Sequence, residues 1–120
     1  MKIQIKATNL DLTQALTNYI FDKIGPLEKF LSRLDEKGVA TAWVEVGRTT
    51  KHHKQGDVFR AECNLKLPGK LIRAEHEEWD VRRCIDEIKY ELHRQIKKYN
   101  ERIRVQDSKG KELIRKFKGK

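Results

Sequence analysis

The stretch Val81-Arg82-Arg83-Cys84-Ile85-Asp86-Glu87-Ile88-Lys89-Tyr90-Glu91-Leu92-His93-Arg94-Gln95-Ile96-Lys97-Lys98-Tyr99 decides the fold. Val81, Cys84, Ile85, Ile88, Leu92, Ile96, Tyr99 and then Ile103 recur at steps of three and four, which places them on one side of an α-helix. The adjoining side carries Arg82, Lys89, His93, Lys97 and Arg104, flanked by Arg83, Arg94 and Lys98. Such a helix is fixed to a sheet by its apolar face and offers cations at regular intervals to something outside.

Upstream of this helix the chain alternates. Ile3 and Ile5 oppose Lys2, Gln4 and Lys6, the pattern of a half-buried first strand. Asp11 and Gln14 have capping-box spacing, and Thr13 is a second possible cap. The helix that follows is expected to bury Ala15, Leu16, Tyr19, Ile20, Ile24, Leu27 and Leu31. Gly25-Pro26 predicts a kink or break, because proline removes a helical hydrogen bond and clashes with the preceding turn. Leu27 to Leu34 then forms another turn or two.

A strand is predicted over 39–47 and another over 58–67, with Phe59, Ala61, Cys63 and Leu65 on one face of the second. The polar run from Arg48 to Asp57 reads as a long hairpin loop. Pro68-Gly69 is a tight turn into a fourth strand, Lys70 to Glu75, and Asp80 caps the long helix. The order is β-α-β-β-β-α: an α+β fold with a four-stranded sheet and two helices on one face. A folded domain over 1–104 and a basic tail over 105–120, mobile when free, complete the expected organisation.

The 120 residues suit one core. With 27 basic and 18 acidic side chains the formal net charge is +9, which favours a polyanionic partner, nucleic acid or an anionic membrane surface. No stretch approaches the roughly 20 apolar residues of a membrane span, and no signal-peptide core opens the chain, so a soluble, cytoplasmic protein without membrane partner is expected. Cys63 and Cys84 stand apart without a C-x-x-C or Cys/His cluster and read as reduced core thiols.

Cations one helical turn apart, such as Lys89, His93 and Lys97, can meet several backbone phosphates together. A solvated face stitched by pairs with Asp86, Glu87, Glu91 and Glu101 accounts for the same residues. His52 and His53 raise a ribonuclease or metal site, but no third ligand or carboxylate motif sits at a diagnostic spacing. Trp43, Phe59, Trp79 and Tyr90 could stack bases; core packing fits Phe59 and at least one tryptophan better. No Gly-rich phosphate loop, nucleophile elbow or paired-acid motif is present, so neither an enzyme nor a cofactor is expected.

Three stretches resemble the short ribosome hibernation-promoting factors, also called ribosome-associated inhibitors and historically sigma-54 modulation proteins. The opening strand runs into Leu12-Thr13-Gln14-Ala15-Leu16. Lys23-Ile24-Gly25-Pro26-Leu27-Glu28-Lys29-Phe30 is similar to the family's K-[LI]-x-x-L-E-K-[YF]. Asp80 through Ile85-Asp86, followed by Leu92-His93-Arg94-Gln95-Ile96-Lys97-Lys98-Tyr99, is similar to D-x-x-x-A-I-D and L-x-R-Q-[LI]-x-K.

The resemblance implies a fold like that of double-stranded RNA-binding domains. It implies a monomer off the ribosome that binds the small ribosomal subunit and its rRNA at the decoding region and the tRNA-mRNA channel. Translation would be inhibited there under stress or in stationary phase, by occupancy and with no small-molecule substrate. On the family motif the rRNA contacts fall on Lys23, Lys29, Lys89, Arg94, Lys97, Lys98 and Arg102, to which periodicity adds His93. Arg82 and Arg83 depart from the family pattern by adding charge. The basic loop is longer than in many members, the tail is basic where some members have an acidic one, and the extra carboxy-terminal domain of long members is not expected. A general double-stranded RNA-binding module, a small ribonuclease using His52 and His53, and a transcription modulator acting by protein contact remain the alternatives.

Overall fold

The computed structural model describes residues 1–31, 40–53, 56–67 and 69–118, with side chains at all of these except 50–53 and 103–118. Strand β1 (Lys2–Thr8) leads through Asn9, whose φ of 54° lies in the left-handed region that asparagine tolerates, to helix α1 (Gln14–Ile24). Thr13 caps α1: its Oγ1 accepts from the Leu16 N–H at 3.1 Å. Of the two caps expected, the structure uses this one, and Asp11 contributes its carbonyl to the Thr13 N–H instead. The break at Gly25-Pro26 is present as a change of helix type, α1 giving way to a 3-10 helix over Gly25–Leu31.

Leu16, Ile20, Ile24, Leu27 and Leu31 are buried and Tyr19 is half-buried. Ala15 is exposed, contrary to expectation. It follows the cap directly, before the helix has turned its apolar side to the sheet. The continuation to Leu34 and the start of a strand at Val39 fall outside the described residues.

Strands β2 (Thr41–His53), β3 (Gly56–Leu67) and β4 (Lys70–Glu78) form an antiparallel meander. The crossover through α1 returns β1 parallel to β2, in register from Lys2 beside Thr41 to Thr8 beside Gly47, giving the sheet order β1-β2-β3-β4. The expected long loop over 48–57 is corrected. The ladder continues past Gly47, breaks register between Arg48 and His52, and resumes with His52 beside Asp57 and His53 beside Gly56. Lys54, Gln55 and the turn residue Pro68 lie outside the described residues. Strand β4 also runs three residues beyond its expected end at Glu75, to Glu78.

Helix α2 (Val81–Lys118) starts at Asp80, whose Oδ1 accepts from the Arg82 N–H at 3.0 Å. Its backbone stays helical well beyond residue 105, where the apolar period of the sequence fails. Ala42, Val44, Val46, Ala61, Cys63, Leu65, Ile72 and Ala74 turn to one face of the sheet. There they meet the α1 side chains and Cys84, Ile85, Ile88, Leu92 and Ile96 of α2 in a single core. Both cysteines are free and buried, and burial pushes the thiols up, Cys63 to about 12 and Cys84 to about 11. Among the described residues no helix lies on the other face of the sheet.

Candidate nucleic-acid interface

Because the described side chains of α2 are buried along one stripe, the others among them divide into two flanks and an outer crest. The first flank faces α1. Tyr19 lies there with Lys23 Nζ 5.4 Å and the Arg82 guanidinium 5.3 Å from its ring centre. The Tyr19 hydroxyl donates to Asp86 Oδ1 at 2.6 Å, and Lys23 Nζ stands 3.8 Å from the same oxygen. That hydrogen bond, helped by burial and by the Asp86 charge, pushes the phenol up to about 12. Further along, His93 stacks on Phe30 with ring centres 4.3 Å apart, and Asn100 Nδ2 donates to the Phe30 carbonyl at 2.9 Å. The two helices are therefore locked side by side by contacts that orient cations.

The second flank faces β4. Gln95 Nε2 donates to the Arg73 carbonyl and to Glu91 Oε1, each at 2.9 Å. Arg94 donates to Glu91 through Nε at 3.0 Å and through Nη2 at 2.6 Å. The guanidinium beside Glu91 holds that carboxyl below the usual carboxylate range.

The structure thus distributes the expected residues rather than massing them. Lys23, Arg82 and His93 stand on the α1 flank, joined by half-buried Lys89. Lys29 is exposed on the 3-10 helix. Arg83 and Lys97 occupy the crest by helical spacing, and Arg94, Lys98 and Arg102 lie toward β4. Among the described residues, Lys29, Arg83, Lys89, Lys97, Lys98 and Arg102 make no ion pair, while Lys23 and Arg94 do. Stitching by carboxylates accounts for part of the helix surface and leaves a row of cations unneutralised.

Tyr19, Phe30, Asp86 and Asn100 were not singled out as interface residues from the sequence. Tyr19 four residues before Lys23 was the available signal, since that spacing stacks the two on one helix side. Both tryptophans are exposed, Trp43 at 41 % and Trp79 at 51 %, which corrects the expectation that at least one fills the core. Trp43 sits on the helix-free face of β2, beside Gln4 and Asn64. Phe59 does pack against the core. The side chains of His52 and His53 lie outside the description. Among the described residues no His, Cys, Asp and Glu group is arranged to hold a metal.

An α+β domain with both helices on one face of a four-stranded sheet, and with unneutralised cations along the longer helix, is the class that this fold and surface define. The chain belongs to the Sigma 54 modulation protein / S30EA ribosomal protein family, whose model matches residues 3–104. It is 33% identical over 105 residues to the ribosome hibernation promotion factor of Lactococcus lactis subsp. cremoris, covering 86% of this chain and 51% of the relative. The corresponding Staphylococcus aureus factor is 32% identical over 103 residues, covering 86% and 50%. The chain spans about half the length of the curated relatives it matches. Among solved structures, the N-terminal domain of Thermus thermophilus Protein Y superposes with a TM-score of 0.59 at 31% identity, over 82% of this chain and 99% of that one. A ribosomal subunit interface protein from Coxiella burnetii shares the fold, with a TM-score of 0.59 at 24% identity, over 83% and 98%.

Proposed function

We propose that this chain is a ribosome hibernation factor that binds the small ribosomal subunit and its rRNA at the decoding region, in the tRNA-mRNA channel. It inhibits translation by occupancy, without catalysis, cofactor or small-molecule substrate. Family membership supports the ribosome as partner. The observation that carries the mode of binding is the row of cations on α2, held in fixed geometry by the packed helix and unneutralised among the described residues. The packed helix fixes the spacing of the residues that carry the charges, and arginine adds bidentate contacts.

On this reading Arg82, Arg83, Lys89, His93, Lys97, Lys98 and Arg102 contact RNA, with Lys23 and Lys29 contributing from α1 and its 3-10 extension. Arg94 contributes after exchanging Glu91 for phosphate. The globular unit ends near residue 104, where the family match also ends, and the basic segment over 105–120 adds affinity. The protein is cytoplasmic and monomeric off the ribosome. A kinship with double-stranded RNA-binding domains is part of the same proposal: in both, helices backed by a sheet meet the RNA.

Co-sedimentation with small subunits tests the reading. The variant with Lys89, Arg94, Lys97 and Lys98 all changed to Glu is expected to remain in the supernatant while keeping its circular dichroism and melting transition. A folded variant that still pellets with ribosomes refutes the helix contact.

A further inference from the structure

A recess of ≈ 180 Å³ opens between the start of β4 and the α2 turn around Tyr99, lined by Lys70, Ile72, Gln95, Lys98, Tyr99 and Arg102. Among the described residues its charge is one-signed: three cations reach it from two elements, and none of its described lining residues is a carboxylate. Among the described residues none forms an ion pair with Lys70, Lys98 or Arg102. The recess beside it on the same flank, ≈ 330 Å³, is lined by Glu75, Glu87 and Glu91 along with Arg73, His76 and Tyr90. An anion is therefore attracted to one end of the flank and repelled from the rest.

The cationic recess is also preformed. Ile72 is buried, Tyr99 packs against the core, and Gln95 is fixed by its bonds to the Arg73 carbonyl and to Glu91. Neighbouring like charges repel one another, and an anion among them removes that repulsion while gaining charge-assisted hydrogen bonds. An aromatic wall beside the cations suits the flat or apolar part of the same ligand.

We propose that this recess binds the phosphate of a nucleotide, with the ribose or base lying against Tyr99. Lys70 is the distinguishing residue, because it stands on the sheet and not on a helix. The inference deepens the RNA-binding function, and rests on it only where the phosphate belongs to an RNA chain.

Backbone amide NMR of the full chain tests the site. It is titrated with 5′-AMP, with adenosine as the phosphate-free control, and separately with a short single-stranded RNA. Saturable shifts confined to Lys70, Ile72, Gln95, Lys98, Tyr99 and Arg102 are expected with 5′-AMP and absent with adenosine. Lys70→Ala, at an exposed position that leaves the core intact, is expected to weaken the response about tenfold, the effect of losing one charged hydrogen bond. If 5′-AMP is silent and RNA gives the same local, Lys70-dependent response, the proposal stands with a chain phosphate as ligand. Shifts spread evenly over all basic residues, or equal in Lys70→Ala, overturn it. So does silence with both probes. Small-subunit co-sedimentation that persists in that case leaves the ribosome reading intact.

Discussion

Asp86 is the residue on which the α1 flank turns. A carboxylate among cations weakens the attraction of that surface for phosphate, yet this one accepts the Tyr19 hydroxyl at 2.6 Å and stands 3.8 Å from Lys23. It so fixes the ring over which Lys23 and Arg82 lie. Its effect is readable in the phenol, pushed up to about 12 chiefly by that hydrogen bond. A folded-state value above the unfolded value of about 10 means that the native protein holds this proton more tightly. The resulting stabilisation is complete below pH about 10 and is lost as pH rises through about 12. Asp86→Asn removes both the negative charge and the charged acceptor. Tyr19 is then expected to titrate at lower pH than in the parent protein, which tyrosinate absorbance during an alkaline titration of the two proteins would reveal. An unchanged late-titrating tyrosine would show that Asp86 is not its partner. The same variant removes a negative charge from the proposed interface.

Among the elements, the β1–β2 pair depends on close approach at one end. A Cβ placed on Gly47 would come within 2.7 Å of the Thr8 carbonyl oxygen, a backbone atom that cannot swing aside. Gly47→Ala is therefore expected to cost about 1–3 kcal/mol, in the range of other overpacked sites. The check is a lower urea midpoint with an unchanged denaturant slope. A midpoint equal to that of the parent protein would mean that the end of β1 yields freely. This pairing also marks where the sequence stops being informative. Strand alternation, the break at Gly25-Pro26 and the apolar stripe of α2 were all legible, because each reports contact with the one core. The outer ladder from Arg48 to His53 was not. β1 ends opposite Gly47 and β4 opposite Phe59, so among the described residues no strand flanks the ribbon beyond them. The sequence from Arg48 to His53 is polar and does not alternate, and so reads as loop. The placement of the candidate cations was half legible. Helical spacing found the α2 cations, but the pairing of Arg94 with Glu91 competes with other local pairings of equal spacing, and the approach of Lys70 to Lys98 and Arg102 belongs to tertiary packing.

Across the whole molecule the two sides of the sheet differ in how their charge is used. On the helix-free face, Arg60 donates to Glu62 at 3.0 Å and to Glu75, and Arg73 reaches Glu62 at 3.1 Å and Glu75 at 3.0 Å. The Arg60 guanidinium holds the Glu75 carboxyl below its usual range, with Arg73 adding to the effect. These cations are spent within the molecule, and removing one exposes a carboxylate that had been neutralised. On the helix side, Arg83, Lys97, Lys98 and Arg102 have no such partner among the described residues. The overall charge of +9 is thus an uneven guide, because a cation counts toward RNA only where it is free to release a counterion. Salt dependence separates the two sides. If about six phosphates are neutralised, affinity for small subunits is expected to fall roughly a thousandfold between low and moderate salt. Lys97→Ala is expected to reduce the slope of log affinity against log salt by about one. Arg60→Ala, a change of the same charge on the opposite face, is expected to leave that slope unaltered. Binding measured across a salt series for the two variants would decide it. Equal slopes in both would mean that the protein is drawn to the ribosome by its total charge and not by the surface that α2 presents.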